Sequence, residues 1–168
     1  MPQPSLTETD VWKPHATVAA IIEQDNRFLI VEENCSGKTV YNQPAGHLDP
    51  DESLFEAVIR ETREETAWGF KPEYITGIYR WQKPDAKRCY LRVAFAGNCY
   101  DHQQDLPLDT GIIKALWLTR EELSAAPDKL RSPMVLTCID DYLDGKKYPL
   151  ELLTDIISTD IISTDIIS

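Results

Sequence analysis

The sequence is poor in positive charge and has no long hydrophobic run. Its 17 Lys and Arg residues face 28 Asp and Glu residues, which gives a net charge of −11. This negative excess argues against nucleic acid polymers and anionic membrane surfaces as partners. No apolar run approaches the roughly 20 residues of a membrane-spanning helix. The polar residues 1–10 contain no hydrophobic signal core. We therefore expect a cytoplasmic protein that does not bind membranes.

Paired cysteines and several common catalytic motifs are also absent. The four cysteines show no C-x-x-C pair and no zinc-like spacing, which predicts free thiols in a reducing cytosol. The sequence contains no Walker loop, no G-x-G-x-x-G and no Ser-His-Asp or Cys-His arrangement. These absences disfavour P-loop and dinucleotide-binding proteins and hydrolases that use a side-chain nucleophile.

The most informative stretch is a turn followed by a helix, residues 46–65. Pro50 and the neighbouring Asp residues favour a turn. Ser53 can cap the helix while Glu56 reaches back to close a capping box. The residues of one helix face then recur at the expected spacing: Leu54, Phe55, Val58, Ile59 and Thr62. The pattern predicts an amphipathic helix from Leu54 onward.

Three glutamates lie along one flank of this predicted helix. Glu61, Glu64 and Glu65 are three and four residues apart, so they share one edge of the apolar stripe. The simplest interpretation is a solvated face on which Arg60 pairs with neighbouring carboxylates. The alternative is a site for a hard cation, because carboxylate oxygens are the ligands that Mg²⁺ and Mn²⁺ prefer and the ion offsets their repulsion.

The spacing of the charged residues decides between the two interpretations. Read as G-x5-E-x7-R-E-x-x-E-E, the stretch from Gly46 to Glu65 resembles the Nudix family signature. Two positions depart from the family pattern. Thr62 stands where an aliphatic residue is usual, and Ala67 stands where a glycine usually ends the helix. We expect Gly69 to supply the left-handed position at the helix end instead.

The resemblance and the chemistry of the residues together imply a site. Gly46 can bring its backbone carbonyl close to a metal because it lacks a side chain. The expected metal ligands are Gly46, Glu61, Glu64 and Glu65, and the expected catalytic residues are Glu61, Glu64, Glu65, Arg60 and Glu52. Arg60 and Glu52 would orient the carboxylates. The cofactor is expected to be Mg²⁺, with Mn²⁺ as the alternative. The motif does not fix which carboxylate is the general base, and we favour Glu61.

The candidates for substrate binding carry less specific signals. Arg92 on a predicted strand could reach a phosphate, or it could pair with one of the many acids. Trp81 could stack on a heterocycle, or it could belong to the core. Gln43 is a third candidate. His47 is expected to form loop hydrogen bonds rather than to bind a metal.

The rest of the chain predicts strands with two later helices. Turns are predicted at 24–26 and 84–85, a chain break at Lys71-Pro72 and a polar loop at 101–109. The predicted strands are 16–22 and 27–32, which form a hairpin, then 40–43, 74–82, 88–96 and 115–118. One helix begins near Thr119, and another begins at Ser132-Pro133 and ends at Gly145. These elements predict an α+β fold, an α/β/α sandwich with a mixed β-sheet between helices, as the Nudix resemblance also implies.

The domain organisation is expected to be simple. Residues 1–153 are predicted to be a single domain with 1–10 as a flexible arm. Residues 154–168 repeat Thr-Asp-Ile-Ile-Ser, and we assign this tail no role because a recent duplication or an added extension explains it better. The protein is expected to be a monomer or a homodimer.

Motifs outside the signature narrow the resemblance to the NudJ-type subgroup of the Nudix family. They are Lys13-Pro14-His15, the run 42–48, Arg131-Ser132-Pro133 and the run 148–151. The resemblance implies a Mg²⁺-dependent phosphatase of small phosphorylated substrates: nucleoside tri- and diphosphates, thiamine pyrophosphate and its pyrimidine precursor. One alternative is a hydrolase of modified nucleotides, nucleoside diphosphate sugars or dinucleotides. Another is a non-catalytic Nudix module that senses a ligand, which the complete set of carboxylates disfavours.

Overall fold

The computed structural model describes residues 11–84 and 87–156, which form eight strands and three α-helices. The strands are β1 (His15–Ile21), β2 (Glu23–Gln24), β3 (Arg27–Cys35), β4 (Lys38–Asn42), β5 (Ala45–His47), β6 (Gly69–Gln82), β7 (Cys89–Tyr100) and β8 (Ile112–Leu118). The helices are α1 (Leu54–Thr66), α2 (Arg120–Ser124) and α3 (Met134–Leu143). The predicted arm, Asp85 of the predicted turn and residues 157–168 of the tail lie outside the described residues. None of the described helices has the length and apolar character needed to cross a membrane.

The strands are arranged in two sheets. The first has the order β5-β1-β7-β6, in which β1 and β7 are parallel and the outer pairs are antiparallel. In the second, β3 pairs antiparallel with β2, β4 and β8. The first sheet is therefore mixed, as the sequence predicts.

Helices cover the first sheet on both faces. Val58 of α1 packs in one core cluster with Val18 of β1, while Ile139 of α3 packs in another with Ala19. Neighbouring residues of a strand point to opposite faces, so α1 and α3 lie on opposite sides of β1. This arrangement confirms the predicted α+β sandwich.

The start of α1 agrees with the sequence prediction and its end does not. Ser53 Oγ accepts from the Glu56 N–H at 3.2 Å, and Glu56 Oε2 accepts from the Ser53 N–H at 2.8 Å, which confirms the capping box. The left-handed residue at the end is Ala67, with φ of 61°, rather than Gly69. Its N–H bonds to Arg63 O at 2.9 Å, which closes the last turn. Gly69 already begins β6, so it cannot end the helix.

Two further predictions about strands are wrong in detail. Lys71-Pro72 does not break the chain but lies inside β6, where the register with β7 shifts between Pro72 and Tyr74. Such an irregularity accommodates a proline, which has no N–H for the ladder. The predicted hairpin turn exists, with positive φ at Asp25 and Asn26, but only β2 pairs with β3 there. β1 pairs with β5 and β7 instead.

The capping box of α1 gives a test of stability. We expect Ser53→Ala to lower the free energy of unfolding by about 1 kcal/mol, because the Glu56 N–H loses its side-chain acceptor. Urea unfolding followed by circular dichroism measures the change. Ser53→Thr is the control, since it keeps the oxygen and should cost much less. Equal losses for both variants would show that the cap does not stabilise the helix.

Candidate active site

α1 presents its glutamates to two different environments. Glu61 and Glu65 are buried, with 9% and 7% of their surface exposed, and they point toward β5. Glu64 is exposed at the helix edge. The three glutamates therefore lie along one side of α1, as predicted, but Glu61 and Glu65 face the protein interior while Glu64 faces solvent.

Arg60 connects this flank to the preceding loop. Its guanidinium bonds to both carboxylate oxygens of Glu52, at 2.6 and 2.8 Å. It also donates to Glu61 Oε1 at 2.9 Å, to Glu64 Oε2 at 3.1 Å and to the His47 carbonyl at 3.0 Å. The bidentate pair lowers the pKa of Glu52 and raises that of Arg60. One cation thus holds three carboxylates and the site loop in register.

Gly46 is where β5 approaches Glu61. A Cβ atom at this position would lie 2.0 Å from Glu61 Cδ, far inside van der Waals contact. Glycine is therefore required for the Glu61 carboxylate to rest against the β5 backbone. The missing side chain thus lets β5 and the Glu61 carboxylate approach each other.

Glu65 is the more deeply buried carboxylate. Its Oε2 accepts from the Ala45 N–H at 2.9 Å, which fixes it against the start of β5. Burial raises its pKa to about 9, and burial also raises the pKa of Glu61. Desolvation disfavours the charged form of both groups, so a nearby cation would stabilise them.

Glu61 and Glu65 line a cleft of about 450 Å³ that residues of both sheets enclose. Carboxylates from two other segments, Glu33 and Asp109, also line it. Four basic side chains line the same cleft: Lys83, Arg88, Arg92 and Arg131. A cleft with acidic and basic walls suits a ligand that bridges a cation and its own negative charge.

Glu64 is not among the residues that line the cleft. Within residues 11–84 and 87–156, no three His, Cys, Asp or Glu side chains are arranged to hold a metal ion as they stand. The Arg60 guanidinium bonds to both Glu61 and Glu64, so these carboxylates are directed at Arg60. The predicted ligand set of Gly46, Glu61, Glu64 and Glu65 stays a prediction.

The three predicted substrate-binding residues have different positions. Arg92 and Trp81 line the cleft. Gln43 is buried outside it, where its amide accepts from Arg92 Nη1 at 3.3 Å and donates to the Val135 carbonyl at 2.6 Å. Gln43 therefore supports Arg92 rather than facing the cleft.

Trp81 belongs to a column of rings across the first sheet. Tyr90 stacks on Trp81 with ring centroids 5.7 Å apart and on His15 with centroids 5.3 Å apart. Tyr90 also lines the cleft. The column gives one wall of the cleft an aromatic surface, which suits an organic ring.

Sequence reasoning missed several residues of the cleft. Thr17, Asn42 and Ser132 line it and are buried. Asn42 and Ser132 fall inside runs that the resemblance singles out, which was a usable signal. Thr17 lies in strand β1, and no sequence signal marked it as a residue of the cleft.

Comparison with known proteins identifies the family. Residues 13–136 match the NUDIX domain, which is most of the chain. The chain belongs to the Nudix family. The signature residues, from Gly46 to Glu65, lie inside the matched range.

Individual Nudix relatives agree with this assignment. The chain is 41% identical over 145 residues to Phosphatase NudJ of Escherichia coli strain K12, covering 86% of this chain and 94% of that protein. Phosphatase NudJ of Shigella flexneri gives the same figures. A NUDIX hydrolase structure from Nitrosomonas europaea superposes with a TM-score of 0.85 at 45% identity, covering 88% of this chain and all of that one. The chain is thus a Nudix pyrophosphohydrolase or phosphatase related to NudJ.

Nudix hydrolases generally use divalent metals, and the residues here fit such an ion. All candidate donors are oxygens, which Mg²⁺ and Mn²⁺ prefer. The buried Glu65 forms no ion pair among the described residues, and its hydrogen bond is to the neutral Ala45 N–H. Gly46 leaves its backbone accessible beside Glu61. The chemistry of this donor set therefore matches a hard cation.

Gly46 gives a direct test of the metal site. We expect Gly46→Ala to weaken Mg²⁺ binding at least tenfold, because the new methyl group displaces the Glu61 carboxylate. The fold should survive, since the atoms that must move are the flexible end of one side chain. Calorimetric titration with Mg²⁺ measures the affinity, and thermal unfolding measures the fold.

Gly145→Ala is the control for this test. Gly145 has φ of +78°, and a methyl group added there would meet no described atom within 4 Å, so alanine strains the backbone far from the cleft. It should lower the melting temperature without changing Mg²⁺ affinity. Unchanged Mg²⁺ binding in Gly46→Ala would contradict the assigned role of Gly46.

Proposed function

We propose that this Nudix protein uses Mg²⁺ to hydrolyse the phosphoanhydride bond of small organic pyrophosphates, with Mn²⁺ as an alternative metal. The proposed substrates are nucleoside di- and triphosphates, thiamine pyrophosphate and its pyrimidine precursor. The observation that carries the proposal is that Glu61, Glu65 and the buried Arg92 line the same cleft. The 41% identity of the chain to Phosphatase NudJ supports a phosphatase activity.

The reaction places defined demands on the site. A water oxygen forms a bond to phosphorus, the bridging P–O bond breaks, and the proton of the water passes to a base. From thiamine pyrophosphate the products are thiamine phosphate and orthophosphate. When bound, Mg²⁺ neutralises phosphate charge and lowers the pKa of water, and Gly46, Glu61, Glu64 and Glu65 would hold it.

Arg60 and Glu52 act by positioning. The Arg60 guanidinium holds the carboxylates of Glu61 and Glu64 through hydrogen bonds, and Glu52 holds Arg60 in the same way. Glu61 is the proposed general base, because it faces both the cleft and the β5 backbone. A base must reach the proton that it accepts.

The substrate contacts follow from the cleft walls. We propose that Arg92, held by Gln43, contacts phosphate and that Trp81 contacts the organic ring. A site that takes most of its binding energy from phosphate and metal would accept several organic groups. This accounts for a broad range of substrates.

The free cysteines and the net charge support a proposal for the cellular location and for the size of the substrate. The four cysteines are free, which suits a reducing cytoplasm. The net charge of −11 favours a small phosphorylated substrate over a nucleic acid polymer, since only local cations are needed to hold one.

A phosphate-release screen tests the substrate range. The purified protein is assayed with and without Mg²⁺ on thiamine pyrophosphate, nucleoside di- and triphosphates, a nucleotide sugar and a dinucleoside polyphosphate. We expect Mg²⁺-dependent orthophosphate from thiamine pyrophosphate and nucleotides. Turnover confined to the sugar or the dinucleotide would favour the alternative hydrolase. No turnover of any substrate would favour a ligand-sensing module.

The carboxylates give a second test. We expect Glu64→Gln and Glu65→Gln each to abolish turnover, because an amide cannot replace a carboxylate as a Mg²⁺ ligand. Glu65→Gln should melt no lower than the wild type without metal, since burial already disfavours the charged form of Glu65 and the amide keeps an oxygen for the Ala45 N–H.

Glu121→Gln is the matched control for the carboxylates. Glu121 is exposed on α2 and is not among the residues that line the cleft, so its substitution should leave turnover unchanged. Full activity in Glu64→Gln and Glu65→Gln would contradict the metal-site assignment.

A further inference from the structure

Four buried polar atoms in the described residues have no hydrogen-bond partner: Thr17 Oγ1, Asn42 Oδ1, Arg92 Nε and Ser132 Oγ. Each belongs to a residue with at most 6% of its surface exposed. All four residues line the same cleft. Unpartnered buried polar atoms are uncommon, and each costs roughly 1–3 kcal/mol. Their concentration in one cleft indicates a place built for a polar ligand.

The fold brings these atoms together from distant parts of the chain. Thr17 of β1 and Arg92 of β7 are direct neighbours in the parallel register. Asn42 is the last residue of β4. The residue before it, Tyr41, forms a β-bridge with Leu130, and its carbonyl accepts a hydrogen bond from the Arg131 N–H at 2.9 Å. Ser132 follows directly. The end of β4 and the approach to α3 therefore close the cleft on the side of Thr17 and Arg92.

The charge of this group points to an anion. Arg92 is buried, yet it forms no ion pair with any carboxylate of residues 11–84 and 87–156. Its neighbours include the Gln43 amide and the Cys138 thiol, which do not neutralise it, while Glu33 and Glu65 attract it from beyond ion-pair distance. A buried cation without a counter-ion is costly, so an anionic ligand would relieve it.

The donors fit a phosphate group. Arg92 Nε and the hydroxyls of Thr17 and Ser132 can each donate to a phosphate oxygen. Asn42 Oδ1 can accept from a P–OH group or from a water beside the phosphate. Thr17, Asn42 and Ser132 have short side chains and are buried, which suits a compact group rather than a second organic group.

The four residues with unpartnered atoms lie in the same cleft as the proposed metal ligands Glu61 and Glu65. Thr17 pairs across the sheet with His47 of β5, and the next pair is Val18 with Gly46. Thr17 is therefore about one strand spacing, roughly 5 Å, from the β5 backbone beside Gly46, and Arg92 lies one strand farther away. Consecutive phosphates of one substrate can occupy the two places.

We propose that Thr17, Asn42, Arg92 and Ser132 form a closed subsite for the terminal phosphate of the substrate, the phosphate that carries no second organic group. This inference rests on the proposed function and narrows it. The enzyme should prefer pyrophosphates with one free end over those capped at both ends. Orthophosphate should bind in the same subsite.

The test uses Thr17→Val and Ser132→Ala, which remove one hydroxyl each at nearly constant shape. Calorimetry measures orthophosphate binding to the Mg²⁺-loaded protein. Each variant should weaken it about tenfold, the loss expected for one hydrogen bond to a charged group. The preference in kcat/KM for ADP, with a free terminal phosphate, over ADP-ribose, capped at both ends, should fall by a similar factor through KM.

Two controls separate this role from a structural one. Thr17→Ser keeps the hydroxyl and should restore orthophosphate affinity. Thr110→Val alters an exposed threonine of the same cleft and should change neither measurement. Melting temperatures confirm that each variant is folded.

Unchanged orthophosphate affinity in Thr17→Val and Ser132→Ala, or an unchanged preference for ADP, would overturn the subsite and show that the polar atoms bind only water. Failure of the proposed function looks different. In that case the wild type binds orthophosphate but hydrolyses neither ADP nor thiamine pyrophosphate.

Discussion

The repulsion between carboxylates on one flank of α1 is the constraint on which the site depends. Arg60 meets it by bonding to Glu52, Glu61 and Glu64 at once, while Glu65 is held apart by the Ala45 N–H. Like charges this close destabilise a helix, and a bound hard cation would offset their repulsion. The capping box holds the start of the same helix, and with it the loop that carries Glu52.

The cleft also holds a buried positive charge, Arg92, together with the buried carboxylate of Glu65. Within the described part of the chain, Arg92 and Glu65 are both buried and neither forms an ion pair at contact distance, although Glu65 attracts Arg92 from farther away. Each would be costly alone, and a metal with a phosphate chain would satisfy both. A ligand that carries its own negative charge and recruits a cation thus complements the whole cleft.

Local sequence signals were accurate where the structure is local. The cap of α1 at Ser53 and the start of α2 near Thr119 were predicted and are present. The errors concern choices that depend on neighbours in space. Ala67 rather than Gly69 adopts the left-handed conformation, and Gly69 pairs with β7 as the first residue of β6. Pro72 stays within β6, where the pairing between β6 and β7 shifts register next to it.

The sequence by itself determined the family, the helix with its glutamates and the expectation of a hard cation, because these depend on spacings within about twenty consecutive residues. Only the tertiary structure decided which carboxylates face the cleft, that Gln43 supports Arg92, and that Thr17, Asn42 and Ser132 join it. Those residues come from strands and loops far apart in the chain. Their proximity follows from strand order and register, which no local pattern specifies.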